Sequence, residues 1–134
     1  MQKTYIDKLA LIYIKDHKIL MSLTKGLETW YVPGGKREPG ESDHQALIRE
    51  VKEELAVDLI PDSIKPYGVF EAIAHNKPAG TYVRMTCYTA TFTGTATAFS
   101  EIDKIAFFSY AQKRQGSFVD VLIFDDLHTK GLLY

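Results

Sequence analysis

Residues 35–57, GKREPGESDHQALIREVKEELAV, decide the fold of this chain. The segment begins with glycine and proline and continues into a run with the spacing of an amphipathic helix. Ser42 stands three residues before Gln45, which is the spacing of a capping box. Asp43 suits the positive end of the helix dipole. We therefore predict a helix over residues 43–55.

Two adjacent faces of that helix have different characters. The apolar face consists of Leu47, Ile48, Val51 and Leu55. On the neighbouring face, Glu50, Glu53 and Glu54 are related as i, i+3 and i+4, so their side chains lie together. The first face is predicted to pack on the core, and the second is left to bind a ligand.

The three glutamates repel one another on their shared face. Each like-charged pair of this kind costs an isolated helix roughly 0.2–0.5 kcal/mol. A divalent cation such as Mg²⁺ or Mn²⁺, which prefers carboxylate oxygens, would convert this repulsion into attraction. The alternative is a solvated helix face, in which Arg49 pairs with Glu53 at i+4.

The loop upstream of the helix favours the metal site over the solvated face. Pro33, Gly34 and Gly35, followed by Pro39 and Gly40, allow the backbone to approach another group closely. A solvated surface helix does not require a loop of this kind. Metal-assisted chemistry on a phosphate is therefore the favoured interpretation.

The N-terminal part of the chain reads as β-structure. Two β-like runs, residues 8–14 and 18–22, are separated by Asp16 and His17, which predicts a hairpin. A short strand over residues 30–32 then leads into the glycine-rich loop.

The C-terminal half predicts further strands and a second helix. Residues 67–74 and 81–93 form two strand-like runs, and residues 105–109 form a shorter one. From residue 118 through 133, apolar residues recur at roughly helical intervals. The pattern predicts an α/β fold, an α/β/α sandwich with a mixed β-sheet.

Composition limits the classes of partner. The 134 residues, 46% of them hydrophobic, fit one domain over residues 1–134. Sixteen basic and seventeen acidic residues give a formal charge of -1, so no nucleic acid polymer and no anionic membrane is expected as a partner.

The cysteine count and the N-terminal hydropathy predict the cellular compartment. Cys87 is the only cysteine, which excludes an intramolecular disulfide and a cysteine-based zinc cluster. The apolar run at residues 9–14 is bounded by Lys8 and Lys15 and is far shorter than a signal or membrane helix. We therefore expect a cytoplasmic location.

The central segment resembles the Nudix box, G-x5-E-x7-R-E-U-x-E-E-x-G-U, of MutT-like enzymes, where U is a bulky aliphatic residue. The matching positions are Gly35, Glu41, Arg49, Glu50, Val51, Glu53, Glu54 and Val57. The single departure is Ala56, which stands where the family has glycine. Glycine there favours a left-handed backbone after the helix, which alanine would resist by about 1 kcal/mol.

The resemblance implies a Nudix fold and a Mg²⁺-dependent hydrolase for which Mn²⁺ can substitute. It implies that Glu50 and Glu54 are metal ligands, with Glu53 as a third and a backbone carbonyl of Gly34 or Gly35 as a further ligand.

Similar enzymes use the box arginine to orient carboxylates, so Arg49 is expected to be an organiser that contacts Glu41. The alternative for Arg49 is a surface salt bridge. The candidates for the general base are Glu50, Glu53 and Glu101, because the family uses either a box glutamate or an acidic residue on a later loop.

The sequence says less about the substrate than about the reaction. The candidate substrate-binding residues are Lys36, Arg37, Arg84 and Trp30, with His75 as a weaker one. The favoured substrate is a small-molecule nucleotide, a nucleoside triphosphate cleaved to a nucleoside monophosphate and pyrophosphate.

An ADP-ribose or nucleotide-sugar pyrophosphatase and a non-catalytic nucleotide or sugar sensor are the alternatives. Similar proteins often pair as dimers, and an open sheet edge would allow this chain to form a homodimer.

Overall fold

The computed structural model describes residues 2–74 and 76–134. Its strands are β1 (Thr4–Ile12), β2 (Ile14–Lys15), β3 (Lys18–Thr24), β4 (Gly34–Gly35), β5 (Asp58–Leu59), β6 (Lys65–Ile73), β7 (Thr81–Thr89), β8 (Phe92–Thr93) and β9 (Ile102–Phe108). Its α-helices are α1 (Asp43–Leu55) and α2 (Phe118–Thr129), and short 3-10 helices occupy Pro61–Ser63 and Tyr110–Gln115. Within these residues, no helix has the length and apolarity needed to cross a membrane. His75, a weak substrate candidate, lies outside the described residues.

Strand β1 lies inside a sheet of order β4-β1-β7-β6. It runs parallel to β7 from Thr4 opposite Thr81 to Ile12 opposite Thr89. Strand β6 is antiparallel to β7, and β4 is antiparallel to β1. The predicted mixed sheet is therefore confirmed.

The two helices cover opposite faces of this sheet. Leu9 and Leu11 of β1 are buried against the apolar face of α1, whereas Ala10 and Ile12 are buried in a second cluster with α2. This division follows from the strand itself, because successive side chains point to opposite faces. The predicted α/β/α sandwich is confirmed.

The N-terminal hairpin is present but shorter than predicted. Asp16 and His17 have φ values of 52° and 60° and connect β2 to β3 in antiparallel pairing. The prediction that residues 8–14 form the first arm is wrong, because β1 ends at Ile12 and pairs with β7 instead. All of residues 9–12 are buried, as is typical of a strand covered on both faces.

Three other predicted boundaries are corrected. Residues 30–32 form isolated bridges, in which Tyr31 pairs with Ser22 and Trp30 with Gly116, and they form no continuous strand. The run 81–93 is divided, because β7 ends at Thr89 and β8 pairs with β5. The strand predicted at 105–109 begins earlier, at Ile102.

The second helix ends before the predicted residue 133. Gly131 adopts φ 73° and reverses the chain, and the Leu132 amide donates to the Leu127 carbonyl over 3.0 Å. Leu133 is consequently returned to the core, where it is fully buried.

Helix α1 occupies the predicted residues. The Ser42 side chain accepts from the Gln45 amide, and the Gln45 side chain accepts from the Ser42 amide, so the capping box is complete. At the other end, Ala56 adopts the left-handed conformation with φ 57° and ψ 35°. The helix end therefore has the geometry that glycine favours, although the residue is alanine.

Replacing Ala56 by glycine should stabilise the protein. Glycine adopts positive φ without the clash of a Cβ, so we expect the free energy of unfolding to rise by about 0.5–1 kcal/mol in urea titration. Ala98→Gly is the matched control, because Ala98 is exposed and has no positive φ. Equal effects of the two substitutions would contradict the assignment of strain to Ala56.

Candidate functional site

Arg49 on helix α1 is bound to Glu41 in the preceding loop by two hydrogen bonds. Its Nε donates to Glu41 Oε2 over 2.7 Å, and its Nη2 donates to Glu41 Oε1 over 2.8 Å. Glu41 Oε1 also accepts from the Glu38 amide over 2.7 Å. The hydrogen bonds from Arg49 and then that from the amide lower the pKa of Glu41 to about 2. Glu41 is therefore a fixed anion.

The rest of the Arg49 guanidinium contacts the helix and the loop. Nη1 donates to Glu50 Oε1 over 2.8 Å and contacts the Glu53 carboxylate at 3.4 Å. Nη2 donates to the Lys36 carbonyl over 3.0 Å. A planar guanidinium can satisfy all of these acceptors at once, which an isolated surface ion pair does not require.

Glu54 follows Glu50 by one helical turn and lies on the same side of helix α1. Burial, followed by the negative charge of Glu50, raises the pKa of Glu54 to about 8. The Gly34 amide donates to Glu54 Oε2 over 3.4 Å, which opposes this shift only in part. Two carboxyl groups are therefore held close together in a partly desolvated place.

The glycine-rich loop presses its backbone against these carboxyl groups. A Cβ at Gly35 would collide with the carboxylate of Glu50, and one at Gly34 would collide with the Leu9 carbonyl oxygen. Gly34 also has φ 150°, which disfavours an L side chain. Glycine is therefore required at position 34, whereas a side chain at position 35 would displace the Glu50 carboxylate.

The donor set suits a hard divalent cation. Glu50 and Glu54 offer carboxylate oxygens, and a cation between them would offset the burial and the Glu50 charge that together raise the pKa of Glu54. Within residues 2–74 and 76–134, no group of three or more His, Cys, Asp or Glu side chains is already spaced to hold a metal ion. Glu53 is instead 54% exposed and turned toward Arg49. Metal binding by the three glutamates stays a prediction.

The carboxylates open into a cleft of about 390 Å³. Its lining includes Glu50, Glu53, Glu54 and Gly34, together with Glu101 from the loop before β9. The Lys25 amide donates to the Glu101 carbonyl over 2.8 Å, which anchors this loop. The structure therefore brings Glu101 to the same cleft as the box glutamates.

Four predicted substrate-binding residues do not line the cleft. Arg37 pairs with Asp43, and Arg84 pairs with Glu71 while it lies over the Tyr5 ring. Trp30 packs on Phe108 with ring centroids 4.9 Å apart, and Lys36 contributes its carbonyl to Arg49. Contacts of Lys36, Arg37, Arg84 and Trp30 with a substrate stay predictions.

Two lysines line the cleft that the sequence did not reveal as site residues. Lys8 lies in β1, and Lys77 lies in the turn between β6 and β7. In the sequence, Lys8 marks the boundary of an apolar run. The alternation of β1 is the signal that could have placed Lys8 on one face together with Ala10 and Ile12.

The comparisons with known proteins agree with the geometry. The Nudix domain model matches residues 9–121. The chain is 40% identical to the CTP pyrophosphohydrolase of Escherichia coli (strain K12) over 57 residues, which cover 40% of this chain and 42% of that protein. It is 37% identical to the 8-oxo-dGTP diphosphatase of Proteus vulgaris over 49 residues, covering 37% and 39%. The matched segments thus span less than half of these relatives.

Solved structures show the same fold. The E. coli ORF135 protein superposes with a TM-score of 0.72 at 24% identity, over 95% of this chain and 91% of that one. The MutT Nudix hydrolase of Burkholderia pseudomallei superposes with a TM-score of 0.67 at 22% identity, over 81% and 86%.

Replacing Glu54 by glutamine should stabilise the metal-free protein in a pH-dependent way. Between pH 4.5 and 8, Glu54 ionises in the unfolded chain but stays protonated when folded, so its burial lowers stability as pH rises. We expect Glu54→Gln to raise the free energy of unfolding by about 1–3 kcal/mol at pH 8 and by less at pH 5.

Urea titration in the presence of a chelator measures this effect. Glu53→Gln is the control, because Glu53 is exposed. A gain from Glu54→Gln that is the same at both pH values would contradict the buried-carboxyl explanation.

Replacing Arg49 by lysine should impair turnover more than folding. Lysine keeps the charge but loses the forked contact with Glu41, so the carboxylates lose their orientation. We expect kcat/KM on the preferred substrate to fall about 10–100-fold and the Mg²⁺ requirement to rise, while unfolding stays cooperative. Arg114→Lys, at an exposed position, is the control. Unchanged kinetics in Arg49→Lys would exclude the positioning role.

Proposed function

The chain belongs to the Nudix hydrolase family, and from this premise we propose that it cleaves the pyrophosphate bond of a nucleoside diphosphate linked to another group. The proposed reaction is the Mg²⁺-dependent hydrolysis of a nucleoside triphosphate to a nucleoside monophosphate and pyrophosphate. The similarity to a CTP pyrophosphohydrolase from E. coli and an 8-oxo-dGTP diphosphatase from P. vulgaris supports this choice of substrate class.

The observation that carries the proposal is the close pair formed by Glu50 and Glu54 at the edge of the cleft. Burial, and then the neighbouring charge of Glu50, raise the pKa of Glu54 to about 8 in the free protein. A purely structural site has no need of such an arrangement, whereas binding of a cation and a phosphate would use it.

The residues of this chain have distinct proposed tasks. Glu50, Glu54 and Glu53 would hold Mg²⁺ together with a carbonyl of Gly34 or Gly35. When bound, Mg²⁺ would neutralise phosphate oxygens and favour ionisation of water.

Other side chains would support the reaction without holding the ion. Arg49, fixed by Glu41, keeps Glu50 in place. A water oxygen attacks phosphorus, the bridging P–O bond breaks, and the leaving group departs as pyrophosphate.

The proton of the attacking water must pass to a carboxylate. Glu50, Glu53 and Glu101 all line the cleft and remain the three candidates for this general base. Glu50 is constrained by its 2.8 Å contact with Arg49, whereas Glu101 faces the same cleft from a different loop. A cytoplasmic location and a homodimer remain predictions that accompany the proposed function.

A substrate screen tests the proposed function. The panel contains nucleoside triphosphates, oxidised nucleotides, ADP-ribose, nucleotide sugars and dinucleoside polyphosphates, each with Mg²⁺ and with products resolved by chromatography. We expect a monophosphate and pyrophosphate from one or more triphosphates, and at least a 100-fold lower rate in Glu54→Gln, which removes a metal ligand.

Other outcomes of the screen would replace the proposal. Cleavage of ADP-ribose or a nucleotide sugar alone would assign the chain to the second class of substrate. Tight binding in calorimetry without cleavage of any compound would indicate a sensor.

A further inference from the structure

A second, mainly apolar pocket adjoins the carboxylate cleft. The two share the side chains of Lys8, Tyr31, Lys77 and Met85 in their linings. The remaining lining of the second pocket consists of Ile6, Ile73, Ala74, Val83, Ser117 and Val119. The cleft therefore continues from an acidic end into an apolar one, and lysines lie at the junction.

Lys8 is an incompletely paired cation at this junction. Its ammonium lies 5.2 Å from the centre of the Tyr31 ring. In the part of the chain that the structure describes, Lys8 and Lys77 form no salt bridge with a carboxylate. Burial lowers the pKa of Lys8, and the positive charges of Lys36 and Lys77 act in the same direction.

Asp120 attracts the Lys8 ammonium without binding it directly. Its side chain is fully buried and accepts from the Ser117 hydroxyl over 2.8 Å, from the Ser117 amide over 3.2 Å and from the Val32 amide over 3.5 Å. Asp120 therefore acts through charge and opposes the loss of the Lys8 proton. The ammonium keeps its hydrogen-bonding capacity for another acceptor.

The position of Lys8 indicates the chemistry of that acceptor. A partly buried ammonium near a second lysine favours an anion over a neutral carbonyl group. Its location between the carboxylates and the apolar pocket corresponds to the part of a nucleotide between the reacting anhydride and the base.

We propose that Lys8, assisted by Lys77, binds the phosphate that remains on the nucleoside, and that the adjoining apolar pocket receives the base. The inference rests on the proposed function and adds to it a substrate-binding residue outside the box helix. Lys8 would thus select substrates in which one sugar separates a phosphate from a flat base.

Calorimetry with paired probes tests the inference. The probes are CMP, UMP, AMP and GMP together with the four corresponding nucleosides, all with Mg²⁺ present and without a cleavable anhydride. Lys8→Met keeps the length of the side chain and removes its charge. We expect the dissociation constant of the bound monophosphate to rise about tenfold or more, and that of its nucleoside to change less than about twofold.

Two further variants support the reading of this experiment. Lys15→Met removes the same charge at an exposed position of β2 and should leave both affinities unchanged. Lys77→Met, in the exposed turn, should raise the dissociation constant of the monophosphate a few-fold. This variant takes the place of Lys8→Met if Lys8→Met fails to fold.

Three results would overturn the inference. The first is an equal loss of affinity for the monophosphate and for its nucleoside in Lys8→Met. The second is unchanged affinity for the monophosphate in the folded variants, and the third is no binding of any probe to the unaltered protein. Hydrolysis is measured separately, so an inactive protein that still binds a monophosphate through Lys8 would overturn the proposed function alone.

Discussion

The forked ion pair between Arg49 and Glu41 is the constraint on which the site depends. It connects helix α1 to the loop that precedes it, and the same guanidinium holds Glu50 and the Lys36 carbonyl. Exposed ion pairs contribute little individually, but this one is bidentate and belongs to a network in which each contact restricts the others. The geometry of the carboxylates is therefore set before any ligand arrives.

The sandwich supplies the rigidity against which this network is built. Strand β1 is buried on both faces, and Leu9 places its backbone against Gly34. Because β4 (Gly34–Gly35) pairs with β1, the glycine backbone is kept close to Glu50 and Glu54. The Gly34 amide donates to Glu54, but burial and the charge of Glu50 still raise the pKa of Glu54, and perturbed pKa values of this kind are typical of functional sites.

Local signals in the sequence predicted helix α1 and the shared side of Glu50 and Glu54, because caps and i, i+4 spacing act over a few residues. Long-range pairing was not predictable in the same way. Strand β1 pairs with β7 at positions 77 residues later, so neither the pairing of β1 outside the hairpin nor the bridge between Trp30 and Gly116 has a local signal in the sequence. The alternation of β1 indicates the face on which Lys8 lies, whereas the residues around Lys8 come from β7 and α2, far along the chain.

The formal charge of -1 does not show that carboxylates and lysines line the same cleft. Carboxylates gather at one end and Lys8 with Lys77 at the other, and the apolar pocket lies beyond the lysines. A nucleotide has the complementary order when a divalent cation accompanies its anhydride, because its outer phosphates then meet the carboxylates through that cation. In the proposed complex, the phosphate next to the nucleoside would meet the ammonium groups directly. Local arrangement of charge, and not the total, therefore determines which class of ligand this chain can hold.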